Sequence, residues 1–554
     1  MNPTSNPARP KPRGVTPPDP RGVTPPEPRG VTPTHPRGVT PTPPAMAVTR
    51  RTVLGGLGAG LWGAAARARD SVLMVVSPWE IRGLDPAQSG YVFLRLSVAE
   101  TLVRPDREGI MRPGLARRWD ADADGLTWRF WLPTDRYFHD LTPVSAQAVV
   151  DCLNTSRANT GNALRRVPID AIVAEADTVV FRLSRPFAIL PTYLAASGSI
   201  VLGPGSYNAQ RGVERIVATG PYRVTGLDGR HRVETEAMTP ATGNAPAVRR
   251  VRYQAVTDGE TRARMVESGD ADLAVNLPPV SADRLRRGRA ARVLSMPIPR
   301  ARFIALNLNV APLDDLRVRQ ALSLAIDRAG AARAILRNPE AAADRLLPPF
   351  LREWQDPATP PLRTDPDVAR RLLREAGWQL GPNGICQRDG RSLSLELFTS
   401  ANRPELPVLA EAMQAQWRDI GIDVRIRLGD SEDIPRIRAD GSMQMALVAR
   451  TYAQIPDPIG SIADDFVSPS PNGWASVGWR SEALETAVQR YAVTADPLER
   501  TAVRQTIARV LQAELPVIPH SWYDQVVAFS RRVEPVPIDP FETTYGIPDI
   551  GWAG

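Results

Sequence analysis

Short apolar runs typical of β-strands alternate with amphipathic helical segments along most of this chain. The stretches SVLMVV (71–76), DTVVFRL (177–183) and RSLSLELFTS (391–400) are rich in β-branched and apolar residues, which favours strands. Apolar residues at helical spacing predict helices within 142–156, 315–327, 365–378 and 405–421. Strands and helices in alternation indicate the α/β fold class.

Several positions also predict where these elements begin and end. Ser145, two residues after Pro143, is a candidate N-cap for the first of these helices. Gly377 and Gly421 each follow a helical pattern and are expected to end it. Three further strands are predicted at 126–133, 300–309 and 422–429.

The N-terminal segment follows a different pattern. Within residues 8–44 the unit P-R-G-V-T-P recurs four times, starting at Pro12, Pro20, Pro28 and Pro36. Such proline density with so little apolar surface predicts a disordered or extended tail over residues 1–45. Our hypothesis is that translation starts at Met46, and the alternative is a genuine basic linker.

Residues 46–68 are typical of an export signal. Arg50 and Arg51 precede an apolar run, Val53 to Ala66, that is too short to span a bilayer. The paired arginines resemble a twin-arginine signal, and small residues favour cleavage after Ala66 or Ala68. The alternative is a buried glycine-rich helix. A dinucleotide-binding turn at 58–63 is disfavoured, because a basic pair stands where a strand should precede it.

Net charge argues against a nucleic-acid partner. The whole chain has a formal net charge of +8. Residues 1–45 carry six basic and two acidic side chains, and residues 46–69 add four arginines, so residues 70–554 sum to zero. The excess positive charge that would favour a nucleic-acid partner is therefore absent from the body of the chain.

Sequence motifs for catalysis and metal binding are also missing. No G-x-S-x-G, H-E-x-x-H, C-x-x-C or G-x-x-x-x-G-K-[ST] motif occurs, and only His139, His231 and His520 lie outside the tail. Adjacent acids such as Asp464 and Asp465 are expected at solvated surfaces or helix caps. We therefore predict no enzyme activity, no cofactor and no protein-built metal site. Cys152 and Cys386 are expected as two buried thiols, and the alternative is one disulfide between them.

The body of the chain, residues 70–554, is longer than one hydrophobic core usually supports, which is about 250 to 300 residues, so at least two lobes are expected. Its motifs, taken in order, resemble family 5 of the solute-binding proteins of ABC importers, which carry peptides, nickel chelates and related solutes. The segment at 137–150 resembles that family's F-H-D-G-T-P signature, with Leu141 in place of its glycine. The other resembling segments include 99–106, 112–120, 219–222, 306–328 and 452–458.

The resemblance implies a two-lobed periplasmic-binding-protein fold of class II, with an extra subdomain in the first lobe. The expected boundaries are 70–300 for the first lobe, 301–516 for the second and 517–554 for the return to the first. Hinge crossings are expected near 300–303 and 516–520. The implied function is capture of a peptide-like or metal-chelate solute by a periplasmic monomer that delivers it to an inner-membrane ABC permease. The alternative is a secreted enzyme or peptide chaperone on the same scaffold.

The solute class stays open at this point. Peptide-binding members have an aspartate for the ligand's amine where this chain has Gln454, and an amide offers no charge pairing. The segment 450–458 is most similar to the nickel-chelate branch, with Tyr452 at that branch's aromatic position. That branch's liganding histidine has no counterpart in 467–474, and its chelator-gripping arginines have none near 196–204.

The resemblance places six residues on the wall of the solute pocket. Each also has a structural alternative, since the aromatic residues could be core residues and Arg450 could pair with Asp457. The predicted ligand-binding residues are Tyr91, Phe93, Arg450, Tyr452, Gln454 and Trp474.

Overall fold

The structure is a computed structural model that describes residues 72–553, except 160, 240–244, 402 and 468–473. The predicted tail and the predicted signal, with Arg50 and Arg51, lie outside the described residues. The strands, in chain order, are β1 Val72–Ser77, β2 Val103–Pro105, β3 Met111–Pro113, β4 Arg118–Ala121, β5 Thr127–Trp131, β6 Ile169–Glu175, β7 Thr178–Leu183, β8 Tyr222–Asp228, β9 Arg232–Ala237, β10 Arg250–Ala255, β11 Leu273–Val275, β12 Ala291–Leu306, β13 Gln379–Leu380, β14 Cys386–Arg388, β15 Arg391–Ser392, β16 Ser394–Ser400, β17 Asp423–Gly429, β18 Met445–Thr451 and β19 Val517–Ser530.

Helices alternate with these strands, as the sequence patterns predict. The helices are α1 Pro86–Arg95, α2 Ala146–Ala158, α3 Leu190–Leu194, α4 Gly259–Ser268, α5 Pro279–Arg287, α6 Leu316–Ala325, α7 Arg328–Ala334, α8 Pro366–Glu375, α9 Glu405–Asp419, α10 Ile434–Ala439, α11 Ile459–Ile462, α12 Glu482–Val493 and α13 Pro497–Glu514. Within the described ranges, no helix combines the length and apolar character that crossing a membrane requires.

The predicted helix boundaries are confirmed at the positions that the sequence singled out. The Ser145 hydroxyl accepts a hydrogen bond from the Ala148 N–H at 3.1 Å and so caps α2. Gly377 and Gly421 have φ values of +85° and +90°, which favour glycine after a helix. Cys152 and Cys386 are buried free thiols, as predicted.

One ten-stranded sheet runs through the described chain in the order β17-β16-β18-β12-β19-β11-β1-β10-β9-β8. The long strands β12 and β19 pair with each other at its centre. On the outer sides, β12 pairs with β18 and β19 pairs with β11. We call the side with β1 and β8–β11 the first lobe, and the side with β16–β18 the second lobe. A separate sheet in the order β4-β5-β7-β6 is formed by chain that precedes β12, and we count it with the first lobe.

The chain passes between the lobes within β12 and β19. Residues 300–306 of β12 pair with β18, whereas residues 291–298 pair with the later part of β19. The β12–β19 register shifts between Ile298 and Ala301 and again between Arg302 and Phe303. A register shift locally disrupts the ladder and bends the strand, so the irregular pairing lies where the two sides of the sheet meet.

Parallel pairing gives each lobe one edge where several strands end together. In the second lobe β16 is parallel to β17 and to β18, so Ser400, Gly429 and Thr451 end at the same edge. In the first lobe β1 is parallel to β10 and to β11. Ligands of open α/β sheets bind outside the carboxyl ends of such strands, so these two edges direct the search for a site.

Candidate functional site

A cavity of about 180 Å³ opens at the carboxyl edge of the second lobe. Residues 397–399 of β16 pair with residues 445–447 of β18, so the later residues of β18 have no partner in β16. The cavity occupies that position, beside the N-terminus of α9. Its described lining, which we call the edge cavity, is Ser400, Arg403, Leu406, Ser431, Ile434, Leu447, Val448, Ala449, Arg450, Thr451 and Trp474.

Arg450 lines the edge cavity and is held by a bidentate ion pair. Its Nε and one terminal nitrogen donate to the two carboxylate oxygens of Asp465, each at 2.9 Å. Both side chains are buried, with exposures of 7% and 0%. Two parallel charge-assisted bonds fix the orientation of the guanidinium group.

The alternative partner for Arg450 suggested by the sequence, Asp457, was wrong. The Asp457 carboxylate accepts instead from the Tyr491 hydroxyl at 2.6 Å and from Arg504 at 3.3 Å. The acid that pairs with Arg450 is Asp465, which lies in the π-helical turn Ala463–Val467. Distance along the sequence does not predict this geometry.

The expectation that Asp464 and Asp465 lie at a solvated surface or helix cap was also wrong. Both residues are buried, at 6% and 2% exposure, and each is paired with a guanidinium group that compensates its charge. Asp465 pairs with Arg450, and Asp464 accepts from Arg166 of the first lobe at 2.6 Å. Burial raises the pKa of the Asp464 carboxyl to about 6, against the opposing effect of Arg166. One turn therefore holds Arg450 of the edge cavity and also contacts the opposite lobe.

A second contact joins the lobes near this turn. The Ala188 N–H donates to the Ala492 carbonyl oxygen of α12 at 2.7 Å. Phe187 and Tyr193 of the first lobe belong to the same apolar cluster as Tyr491 and Phe466 of the second. The described conformation therefore has its lobes in contact.

Arg403 contributes the second guanidinium group of the edge cavity. One terminal nitrogen donates to the Tyr523 hydroxyl at 3.3 Å, and Tyr523 in turn donates to Glu405 at 2.6 Å. Arg302 stacks over the Tyr523 ring at 3.4 Å and donates to the same Glu405 oxygen at 3.4 Å. Within the described ranges, no carboxylate lies within ion-pairing distance of Arg403.

The carboxyl edge of the first lobe is filled by aromatic side chains. The Arg95 guanidinium lies 5.8 Å from the Trp79 ring, 5.4 Å from the Tyr91 ring and 6.0 Å from the Tyr545 ring. Its Nε donates to the Glu542 carbonyl oxygen at 2.6 Å. The Tyr91 hydroxyl donates to the Glu80 carbonyl oxygen at 2.8 Å. We call Trp79, Tyr91, Arg95 and Tyr545 the aromatic cluster.

The structure brings only some of the six predicted pocket residues together. Arg450 and Trp474 line the edge cavity, and Tyr91 belongs to the aromatic cluster of the other lobe. Gln454 is exposed. Phe93 and Tyr452 are each 0% exposed, within two different apolar clusters, and this burial favours packing roles for both.

Tyr452 also has an unusual polar environment. Its N–H donates to the Pro299 carbonyl oxygen at 2.6 Å, which holds the residue against β12. Its hydroxyl is buried without a hydrogen-bond partner among the described residues, and burial raises its pKa well above the usual value. The aromatic position that the resemblance pointed to is therefore buried in the described conformation, and its contact with a ligand stays a prediction.

Sequence reasoning missed Arg403. It stands directly after β16, a strand whose apolar run was correctly predicted, and the carboxyl ends of parallel strands are where ligand-binding side chains collect. That rule applied to β16 could have selected Arg403. Tyr523 offered no such signal, because it lies within a strand that is buried along almost its whole length.

Comparison with known proteins finds relatives over most of the chain. A family model described as bacterial extracellular solute-binding proteins, family 5, middle, matches residues 111–472. The nickel-binding periplasmic protein of Escherichia coli K12 is 26% identical over 473 residues, covering 82% of this chain and 88% of that protein. The glutathione-binding protein GsiB of the same strain is 25% identical over 451 residues, covering 77% and 84%.

Solved structures share the fold. NikA from Brucella suis in complex with Fe(III)-EDTA has a TM-score of 0.78 at 22% identity, covering 87% of this chain and all of that one. The oligopeptide-binding protein AppA from Bacillus subtilis, in complex with a nonapeptide, has a TM-score of 0.71 at 18% identity, covering 87% and 99%. At these identities the likeness concerns the fold, which is two-lobed α/β.

Proposed function

Since the chain belongs to family 5 of the bacterial extracellular solute-binding proteins, we propose that it captures a metal-chelate or peptide-like solute between its lobes and delivers it to an ABC importer. The observation that carries the proposal is the edge cavity. It lies outside the carboxyl ends of parallel strands, where open α/β sheets bind ligands, and it carries oriented polar groups among apolar ones.

The contacts between the lobes support a clamp that closes on solute. Arg166–Asp464 and Ala188–Ala492 join the lobes, and each contact would be lost on opening. A solute that binds the closed form better shifts the population toward it by its difference in affinity for the two forms. We propose the boundaries 70–300, 301–516 and 517–554 for the lobes, with the hinge in β12 and β19.

The relatives named above bind nickel, glutathione or oligopeptides, and we extend this range to the present chain as a metal-chelate or peptide-like solute. The proposal also includes export by a twin-arginine signal at 46–68 and a periplasmic location. It further includes a monomeric state and an inner-membrane permease as partner. Loss of export in the Arg50→Ala, Arg51→Ala double variant tests the signal, and unimpaired export would favour ordinary secretion.

Calorimetry and solution scattering on one sample test the clamp. A panel of nickel chelates, glutathione and tripeptides is titrated into the mature protein. We expect at least one solute to bind, to raise the unfolding free energy by about 2.7 kcal/mol at one hundred times its Kd, and to decrease the radius of gyration. Binding without compaction would contradict the clamp, and chemical turnover of the solute would favour the enzyme alternative.

A further inference from the structure

We propose that one corner of the first lobe docks on an anionic membrane surface. The corner is formed where β12 begins and β19 ends, and its three exposed arginines, which we call the arginine corner, are Arg287, Arg289 and Arg531. The inference goes beyond the proposed function, since it concerns neither the solute nor the clamp. It depends on the charge of the corner, on the point where the upstream chain joins the lobe and on a neighbouring tryptophan.

Backbone pairing brings the three arginines to one place. Ala291 is opposite Ser530 in the β12–β19 ladder, so the residues just before β12 lie beside those just after β19. The Arg531 Nε donates to the Arg289 carbonyl oxygen at 2.9 Å. Arg287 ends α5, two residues before Arg289, and all three arginines are exposed. The arginine corner is therefore a single exposed surface.

The arginine corner carries positive charge that no described carboxylate neutralises. Among the described residues, none of its three guanidinium groups lies within ion-pairing distance of an aspartate or glutamate. Three nearby acids are paired with other arginines, in the pairs Asp283–Arg286, Glu534–Arg292 and Asp272–Arg532. A fourth, Asp270, accepts from the Ser268 hydroxyl at 2.6 Å. The arginines of the corner and of these pairs thus outnumber the acids, and the surplus charge would attract an anionic surface.

The chain that precedes β1 joins the first lobe at the same edge. Strand β1 is parallel to β11, β11 is antiparallel to β19, and β19 is antiparallel to β12, so β1 and β12 begin on the same side of the sheet. The proposed export signal, 46–68, therefore leads into the edge that carries the arginine corner. A twin-arginine signal exports folded proteins. The corner would already be formed when the signal reaches the membrane, whose cytoplasmic surface is anionic.

A tryptophan at the same edge also suits a membrane surface. Trp552 forms an isolated bridge with Val533, two residues after Arg531. The Arg532 guanidinium carbon lies 5.4 Å from the centre of its ring, and the Trp552 Nε1 donates to the Ala247 carbonyl oxygen at 3.2 Å. Tryptophan is enriched where membrane meets water, because its ring is apolar and its N–H is polar. Trp552 therefore adds apolar area beside the charged corner.

A free phosphate and a nucleic acid are the competing partners. A small anion binds best where donors enclose it, whereas the three arginines are exposed at a corner. A nucleic acid is bound by neutralising several phosphates in a row, and the net charge of residues 70–554 is zero. An extended lipid surface is favoured, because it presents many anionic groups to one corner at once.

Vesicle co-sedimentation of the mature protein tests the proposal. The vesicles contain equal parts of phosphatidylglycerol and phosphatidylcholine, and vesicles of phosphatidylcholine alone are the neutral comparison. We expect binding to the anionic vesicles only, and its loss at high salt, because salt screens exposed charges. The triple variant Arg287→Gln, Arg289→Gln, Arg531→Gln should weaken this binding by at least about ten-fold, since each arginine near an anionic membrane contributes roughly five-fold.

The matched control removes three exposed arginines of α7, α8 and β15, by Arg333→Gln, Arg374→Gln and Arg391→Gln. It changes the net charge equally, so we expect wild-type binding only if the position of the charges matters. Melting of each variant without vesicles checks its fold. Both triple variants should bind solute and compact like the wild type, so this test and that of the proposed function are separate.

Four results would overturn the proposal. The first is an absence of binding to the anionic vesicles, or equal binding to the neutral ones. The second is an equal loss in the two triple variants. The third is competition by glycerol phosphate at the phosphate concentration of the vesicles, which would indicate a site for a free phosphate. The fourth is tighter binding to duplex DNA than to the vesicles, lost in the same variant, which would assign the corner to nucleic acid.

Discussion

The two lobes end their parallel strands in the same way but fill the resulting edges differently. At the first-lobe edge, Arg95 is enclosed by three aromatic rings and donates to Glu542. At the second-lobe edge, Arg403 faces an open cavity with one weak described hydrogen bond. The same side-chain type is thus enclosed by aromatic rings in one lobe and lines a cavity in the other.

The largest effect should come from the buried ion pair behind the second edge. Asp465→Ala leaves the Arg450 guanidinium buried without its carboxylate, and we expect a loss of about 3 to 5 kcal/mol in unfolding free energy. Urea denaturation measures it. The double variant Arg450→Leu, Asp465→Leu should recover most of this loss, and a loss below 1 kcal/mol in the single variant would contradict the pairing.

The contact between the lobes should show a pH dependence centred on Asp464. Its pKa of about 6 in the folded protein lies above the usual aspartate value near 3.8. Stability from this group is therefore fully present below about pH 4 and is lost as the pH rises through 6. At about 1.36 kcal/mol per pKa unit the loss is at most roughly 3 kcal/mol.

The measurement is the difference between wild type and Asp464→Asn in unfolding free energy from pH 4 to pH 7. The amide cannot ionise, so the wild type should lose stability relative to the variant over this range. A difference that does not change with pH, or that changes in the opposite direction, would show that the Arg166 ion pair outweighs burial.

The third prediction compares the two edges directly. Arg95→Gln removes a largely buried cation from three aromatic rings, so we expect a loss of about 2 kcal/mol. Arg403→Gln should lose about 1 kcal/mol or less, because Arg403 makes one long hydrogen bond, to the Tyr523 hydroxyl. Equal losses in urea denaturation would remove the distinction between a structural edge and a binding edge.

The smallest effect concerns a turn remote from both edges. Leu141 has a φ of +67° and is 72% exposed, so its side chain gains little from packing while its backbone is strained. Leu141→Gly should raise the unfolding free energy by about 0.5 to 1 kcal/mol, after the larger chain entropy of glycine is included. Leu498→Gly, at the second residue of α13, should instead lower it by less than about 1 kcal/mol, because the full glycine penalty applies inside a helix.

Sequence patterns predicted the repeating elements well, because periodicity and caps are local. The strand at 391–400, the Ser145 cap and the glycines after α8 and α9 all follow from neighbours within a few residues. The α/β class followed from their alternation. Folding the same segments into one sheet through β12 and β19 depends on pairings between residues more than two hundred positions apart.

The site was less predictable, because its side chains converge from distant segments. A helical or extended pattern does not say which aromatic residue packs inward, and Phe93 and Tyr452 proved to be buried. The partner of Arg450 depends on a π-helical turn that has no clear sequence signal. The described hydrogen-bond acceptor of Arg403 is Tyr523, which is 120 residues further along the chain.

Native mass spectrometry of the protein recovered from its producing cells tests the central claim most directly. The account predicts a retained small solute, one per protein chain, and a radius of gyration in solution scattering that increases when this solute is removed. A retained solute whose removal leaves the radius of gyration unchanged would contradict the account.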